Sequence, residues 1–255
     1  MNPYEYIRIE RNEAHATLWL DHPPLNVLTI MMMEEMIRAI EQLASDEQIR
    51  LLVLRGKGSC FSAGMDVTDH LPDRVHIMME KMHVLMITIL GLDILTVSAI
   101  HGSALGGGLE LAAITDFAYA DVSSKMGLPE IKLGVFPPLA VALFPELIGH
   151  RNAQDLILSG RTIDAQEALR MGLVSAVFES EQFETRIQQA IDHQLLKSKS
   201  SIAITKKCLR DSLSSQLERL AQAEKIYLQE LMKTDDSLGG LNAFLEKREP
   251  KWKHR

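Results

Sequence analysis

Two short segments, residues 51–54 (Leu51-Leu52-Val53-Leu54) and 94–100, carry small or apolar side chains almost throughout rather than on alternate positions. A strand with neither face in water needs no polar alternation, so both predict a sheet covered on both sides. Each ends at glycine: Gly56-Lys57-Gly58 after the first and Gly102 after the second. Between and around them lie helical patterns, beginning with residues 30–44 behind Thr29 as N-cap, with Glu34 and Glu35 in the first turns. Buried strands separated by helices define an α/β fold. Ahead of them, residues 4–10 and 14–20 read as two strands joined by the polar turn Arg11-Asn12-Glu13.

From about Leu139 onward strands become rare, apart from residues 173–178. Helical periodicity takes over at 152–158, 164–171, 181–196, 201–212, 216–232 and 241–247. This predicts an α/β core over residues 1–200 and a C-terminal helical segment over 201–255, with no Pro/Ser-rich linker and no short repeat.

Composition narrows the function. At 46% hydrophobic residues the chain of 255 can bury a large core. A net charge of −7 disfavours nucleic acid or an anionic membrane as partner, since both are bound through surplus Lys and Arg. Cys60 and Cys208 stand far apart without CxxC spacing, which argues for a reducing compartment and against a disulfide framework or thiolate metal site. The first five residues, Met1-Asn2-Pro3-Tyr4-Glu5, lack a basic region followed by an apolar stretch, and the longest apolar run (84–100) is broken by Asp93. The expectation is a cytoplasmic protein.

Directly after the two buried strands come Cys60-Phe61-Ser62-Ala63-Gly64-Met65-Asp66-Val67 and His101-Gly102-Ser103-Ala104-Leu105-Gly106-Gly107-Gly108-Leu109-Glu110. Strand ends of α/β sheets are where ligands sit. The glycine triplet leads into an apolar helix (Leu109, Leu111, Ala112, Ala113, Ile114), presenting unobstructed N–H groups at a helix start. Such donors suit an oxyanion, for example a thioester enolate. Other site types are missing: Gly56-Lys57 lacks the rest of a phosphate loop, no GxGxxG follows either strand, and there is no GxSxG and no HExxH.

The strings Phe61-Ser62-Ala63-Gly64-Met65-Asp66, His101-Gly102-x3-Gly106-Gly107-Gly108-x-Glu110 and Gly127-Leu128-Pro129-Glu130-Ile131-x-Leu133-Gly134 resemble, in order, the signatures of the crotonase superfamily. Pro24-Leu25-Asn26-Val27-Leu28 and Phe244-Leu245-Glu246-Lys247-Arg248-x-Pro250-x-Trp252 fit it too, so the resemblance spans essentially the whole chain. It implies a spiral of ββα units with a helical C-terminal trimerisation segment, assembled as a homotrimer or dimer of trimers. It implies an oxyanion hole from the N–H groups of Met65 and Gly107, and catalytic glutamates at Glu110 and Glu130. Leu25, Ala63, Gly64, Asp66, Val67 and Gly106 then bind the acyl-CoA substrate, and Phe136, Pro138 and Leu139 wall its acyl group. CoA enters as part of the substrate; no metal, redox cofactor, nucleic acid or membrane is implied.

Hydration needs a base on the water and an acid at the α-carbon, which two carboxylates in unequal environments supply. Glu110 is the candidate base and Glu130 the candidate acid. Two positions depart from the family pattern. Thr68 stands where a phosphate-binding lysine is frequent, and Val135-Phe136-Pro137-Pro138-Leu139-Ala140 replaces a Gly-rich stretch. That segment, with Asp66-Val67-Thr68-Asp69-His70 and Pro23-Pro24-Leu25-Asn26-Val27-Leu28-Thr29-Ile30, resembles the cyclohexa-1,5-diene-1-carbonyl-CoA hydratases.

Plainer readings stand beside these. Glu110 also suits a first turn as a partner of the helix dipole, and Glu130 an early helical position behind Pro129. His70, His83 and His101 are candidate bases that read more simply as packed or surface histidines, Asp66 and Asp69 read as loop-positioning groups, and the Met31–Met33 and Met78–Met79 clusters as core ahead of acyl-pocket lining. The rival functions are a double-bond isomerase of the same fold, an RNA-binding relative and an inactive structural relative.

Overall fold

The computed structural model describes residues 3–255. The first half runs β1 (Ile7–Asn12), β2 (His15–Leu20), α1 (Ile30–Ala44), β3 (Leu51–Gly56), α2 (Val75–Leu90) and β4 (Leu95–Ile100). It continues through β5 (Ser103–Leu105), α3 (Gly107–Ala113), β6 (Phe117–Asp121) and β7 (Lys125–Gly127). Next come α4 (Pro138–Leu147), α5 (His150–Ser159), β8 (Thr162–Asp164), α6 (Ala165–Met171), β9 (Ala176–Phe178) and α7 (Phe183–Leu195). Three helices close the chain: α8 (Lys199–Asp211), α9 (Ser214–Gln229) and α10 (Asp235–Leu245).

One sheet has the order β1-β2-β3-β4-β6-β9, antiparallel at β1/β2 and parallel elsewhere; a second has the order β5-β7-β8. The expectation of strands buried on both faces holds for β3 and β4, whose residues are all buried. Alternate side chains serve two cores. Leu52 and Leu54 enter the main cluster, while Leu51 and Val53 face the opposite side with Phe183, Ile187 and Ile191 of α7. Covering both faces is what removes the polar alternation.

The α1 bounds agree with the sequence reading. Thr29 Oγ1 accepts the N–H of Met32 (3.1 Å), and Met32, Met33, Met36, Ile37, Ile40 and Leu43 form the buried stripe. Met31 is 54% exposed and lies outside that stripe. The apolar run of residues 84–100 divides into two elements, since α2 ends at Leu90 and β4 begins at Leu95. Beyond Leu139 there are two strands instead of one, β8 and a β9 shorter than residues 173–178. The last helix starts earlier than residue 241: Thr234 Oγ1 accepts the N–H of Ser237 and caps it. The C-terminal helices return to the core, α9 packing on α4 and α2 and α10 on the short helical turn Pro129–Leu133. No helix among the described residues is long and apolar enough to cross a membrane.

Candidate active site

Backbone pairing draws the glycine-bearing loops together. Leu28 N–H donates to Gly64 O (2.8 Å) and Asp66 N–H to Leu28 O (3.0 Å), bridging Leu28 to Met65. Ser62 N–H donates to Ser103 O and Leu105 N–H to Ser62 O (3.0 Å each), tying the first loop to β5. Strand β5 pairs with β7, and Gly106 N–H donates to Gly127 O (2.9 Å), so the residues leading into α3 and into Glu130 run side by side. Buried Asn26 clamps the first loop, its amide donating to Lys57 O (2.8 Å) and Cys60 O (2.9 Å). The result is that Met65, the α3 residues Gly107 and Glu110, and Glu130 converge from three segments.

Neither Met65 N–H nor Gly107 N–H has an acceptor among the described residues. A Cβ built on Gly107 would lie 2.8 Å from Met65 Cγ, so the two residues touch and no side chain fits between them. Gly64 approaches as closely: its Cβ position lies 2.8 Å from Leu105 O. Unpaired N–H groups on two touching residues are the kind of donor that suits a developing oxyanion.

The glutamates sit in unequal surroundings. Glu110, in the first turn of α3, is 3% exposed and its Oε1 accepts the N–H of Ala140 (2.8 Å). Burial pushes its carboxyl up, while the N–H groups of Ala140 and Leu139 oppose the shift. These are the first donors of α4, because Pro138 at N1 has none, and the positive end of that helix adds to their effect. Glu130 follows Pro129 in the turn Pro129–Leu133, and its Oε2 is buried without a partner among the described residues. Burial raises its carboxyl, and the charge of Glu110 raises it further. Of the two, Glu110 is better equipped to hold the negative charge and Glu130 to hold a proton.

Both face one cavity of about 800 Å³. Leu25, Ala63, Gly64, Asp66, Val67 and Gly106 line it, as do Met65, Phe136 and Pro138. Two expected residues stand apart. Gly107 is buried against the Met65 side chain and is not among the residues lining the cavity. Leu139, expected on the acyl wall, turns its side chain into the core (2% exposed) and contributes an N–H to Glu110 instead. Met78, Met79 and Met82 of α2 complete the apolar wall.

The loop acids position backbone. Asp66 Oδ1 accepts Thr68 N–H (2.8 Å) and Thr68 Oγ1–H (2.7 Å), while Asp69 Oδ2 accepts Ile30 N–H (2.9 Å). Thr68 is thereby engaged in its own loop, and the cations on the cavity rim are Lys132 and Arg248. His83 contacts Glu224 (2.9 Å) and His101 contacts Gly58 O (3.0 Å). His70 is different. It lines the cavity, and its Nδ1 lies 2.7 Å from the hydroxyl of fully buried Tyr227 on α9. Sequence reading passed over Tyr227, because one aromatic on an amphipathic helix carries no mark of its destination. No group of three or more His, Cys, Asp or Glu able to hold a metal occurs among the described residues.

A sheet of this order, with paired glycine loops over a buried carboxylate pair, defines a crotonase-fold protein. An enoyl-CoA hydratase of Mycobacterium avium subsp. paratuberculosis superposes with a TM-score of 0.89 at 25% identity, covering 98% of this chain and 99% of that one. The chain belongs to the enoyl-CoA hydratase/isomerase family, whose model matches residues 10–255. It is 35% identical to a cyclohexa-1,5-dienecarbonyl-CoA hydratase of Thauera aromatica, over 97% of this chain and 96% of that protein. It is 32% identical to a probable enoyl-CoA hydratase of Mycobacterium bovis, over 99% of both.

Proposed function

We propose that the chain adds water reversibly across the double bond of an α,β-unsaturated acyl-CoA, with CoA arriving as part of the substrate. The observation that carries this reading is the pair of buried glutamates on one cavity, Glu110 with its Oε1 held by the N–H of Ala140 and Glu130 with its Oε2 buried without a partner among the described residues. Ionised Glu110 takes a proton from water as its oxygen bonds to the β-carbon. The electron pair of the double bond moves toward the thioester oxygen, where Met65 and Gly107 N–H groups stabilise the enolate. Protonated Glu130 then gives its proton to the α-carbon. Proton exchange between the two carboxyls restores the starting state.

A compact, cyclic dienoyl group is the preferred acyl portion in this reading. It is supported by the Thauera aromatica relative's name and by the wall at Phe136, Pro137 and Pro138, where proline fixes φ. Self-association as a homotrimer or dimer of trimers in the cytoplasm belongs to the same proposal. Exposed Leu196, Ile204 and Leu209 in the C-terminal helical region support it. A double-bond isomerase needs one carboxylate, and an RNA-binding relative needs a basic surface that a net charge of −7 does not suggest. The test is turnover across linear, cyclic and aromatic-derived enoyl-CoA thioesters followed by mass spectrometry. Gain of one water supports hydration; an isomerised thioester of unchanged mass as sole product refutes it.

A further inference from the structure

Two side chains on the cavity, His70 and Tyr227, are not used by the mechanism above. They come from distant segments: His70 ends the short helical turn Val67–His70, just past the Met65 loop, and Tyr227 lies inside α9. Tyr227 is 0% exposed, so its hydroxyl must find every partner within the protein or the cavity. Its one hydrogen bond among the described residues is to His70 Nδ1. A phenol has one donor and two acceptor sites, so this bond leaves it with capacity whichever partner donates. The ring is held in place by Phe136, packed edge-on at 5.3 Å and 73°. Helix α9 packs on α4, whose first N–H groups hold Glu110, and the charges of Glu130 and Glu110 both act on the Tyr227 hydroxyl.

The reacting water has a matching requirement. An ordered water in a protein makes about three hydrogen bonds. Glu110 and Glu130 supply two. The neighbouring wall offers few backbone donors, because Pro137 and Pro138 have no N–H and those of Leu139 and Ala140 are engaged by Glu110. Of the polar side chains on this cavity, Tyr227 combines a hydroxyl with unfilled hydrogen-bonding capacity and the influence of both glutamates.

We propose that the Tyr227 hydroxyl makes the third hydrogen bond to the oxygen that Glu110 and Glu130 add to the acyl group, and that His70 is the positioning residue that aims it. This rests on the hydratase reading. Tyr227 keeps its proton throughout, so no new covalent step is involved. Phe136 connects the arrangement to the acyl wall, since the same ring faces the cavity and braces Tyr227.

The test measures hydration by the full-length protein and its variants Y227F, H70L and H70N, together with the Kd of butyryl-CoA, which cannot be hydrated. Tyr227→Phe removes the hydroxyl and keeps the edge contact with Phe136; it should lower kcat by about tenfold or more, the scale of one lost hydrogen bond. The Kd of butyryl-CoA should stay within about twofold, since a bond to the water does not contribute to thioester binding. His70→Leu should show the same fall, and His70→Asn, whose amide can replace Nδ1, should recover part of it. The His70 pair decides the matter if Tyr227→Phe does not fold. Unchanged kcat in folded Y227F overturns the proposal, as does a kcat loss matched by weakened butyryl-CoA binding, or an H70N no better than H70L. E110Q and E130Q run in parallel: if they lose activity while Y227F does not, only this inference falls; if they keep it, the glutamate roles fall.

Discussion

Gly106 and Glu130 occupy space that no side chain at position 106 could share: a Cβ built on Gly106 would lie 2.5 Å from Glu130 Oε1. The same glycine has φ +51, where L-residues are strained, and its N–H is tied to Gly127 O. The backbone that leads into the oxyanion-type N–H groups is therefore pressed against the carboxyl that we assign as acid.

Gly106→Ala should consequently lose activity out of proportion to stability. The strained φ costs about 1 kcal/mol or more, and the methyl must displace Glu130. We expect a hydration rate at least about tenfold lower in a protein that still melts cooperatively, because misplacement by a fraction of an ångström is costly in catalysis. Comparing kcat with the thermal midpoint checks this; a normal kcat would mean that the carboxyl has no fixed position.

The glutamate pair should make the protein less stable in alkali. Burial raises both carboxyls above the ordinary 4.5, so the folded state holds their protons more tightly than the unfolded chain does. That contribution is fully present below the unfolded value and is lost as pH rises through the folded values. Glu130→Gln removes one such group, so the variant should melt above the wild type at about pH 9, with a flatter alkaline slope. Melting curves across pH check it, and an E130Q slope identical to the wild type contradicts it.

His70 gives the opposite slope. Burial lowers its pKa from 6.5 to about 4, against a smaller opposing effect of Asp66. Its stabilising contribution is present above 6.5 and is lost as pH falls through about 4. The full linkage corresponds to about 3 kcal/mol. His70→Asn should be more acid-resistant relative to its own neutral-pH stability, read as denaturant midpoints at about pH 7 and pH 4.

Legibility in the sequence followed physical constraint. Strands β3 and β4 were readable because burial on both faces forces continuous apolar sequence, and α1 because Thr29 caps a clean stripe. Helix α2 was hidden because exposed Ile77 and Val84 add apolar residues outside its buried stripe (Val75, Met78, Met79, Met82, Leu85, Met86 and Ile89) and blur its edge. Strands β5, β7 and β8 have three residues each, too few to show alternation. In the site, glycines announce themselves because close approach allows nothing else, as at Gly106 and Gly107. Leu139 was misplaced because the rotation of α4 decides whether it or Pro138 faces the cavity. Tyr227 reaches the site through the packing of α9 on α4, which no local pattern encodes.

Substrate shape tests the acyl wall. Pro137 and Pro138 stiffen it and Phe136 narrows it, so a cyclic dienoyl-CoA should have a higher kcat/KM than crotonyl-CoA, with a long-chain thioester poorest. Phe136→Ala should narrow that gap. A long-chain thioester as best substrate would contradict the compact-ring assignment while leaving hydration intact.

Hydration by the two folded glutamine variants tests most directly whether Glu110 and Glu130 divide the base and acid roles. Each keeps the side-chain shape and removes the proton-transfer group. E110Q and E130Q should each bind butyryl-CoA normally yet hydrate at least about a hundredfold more slowly, the scale of losing a positioned acid or base. Near-normal hydration by either folded variant would contradict the role given to that residue.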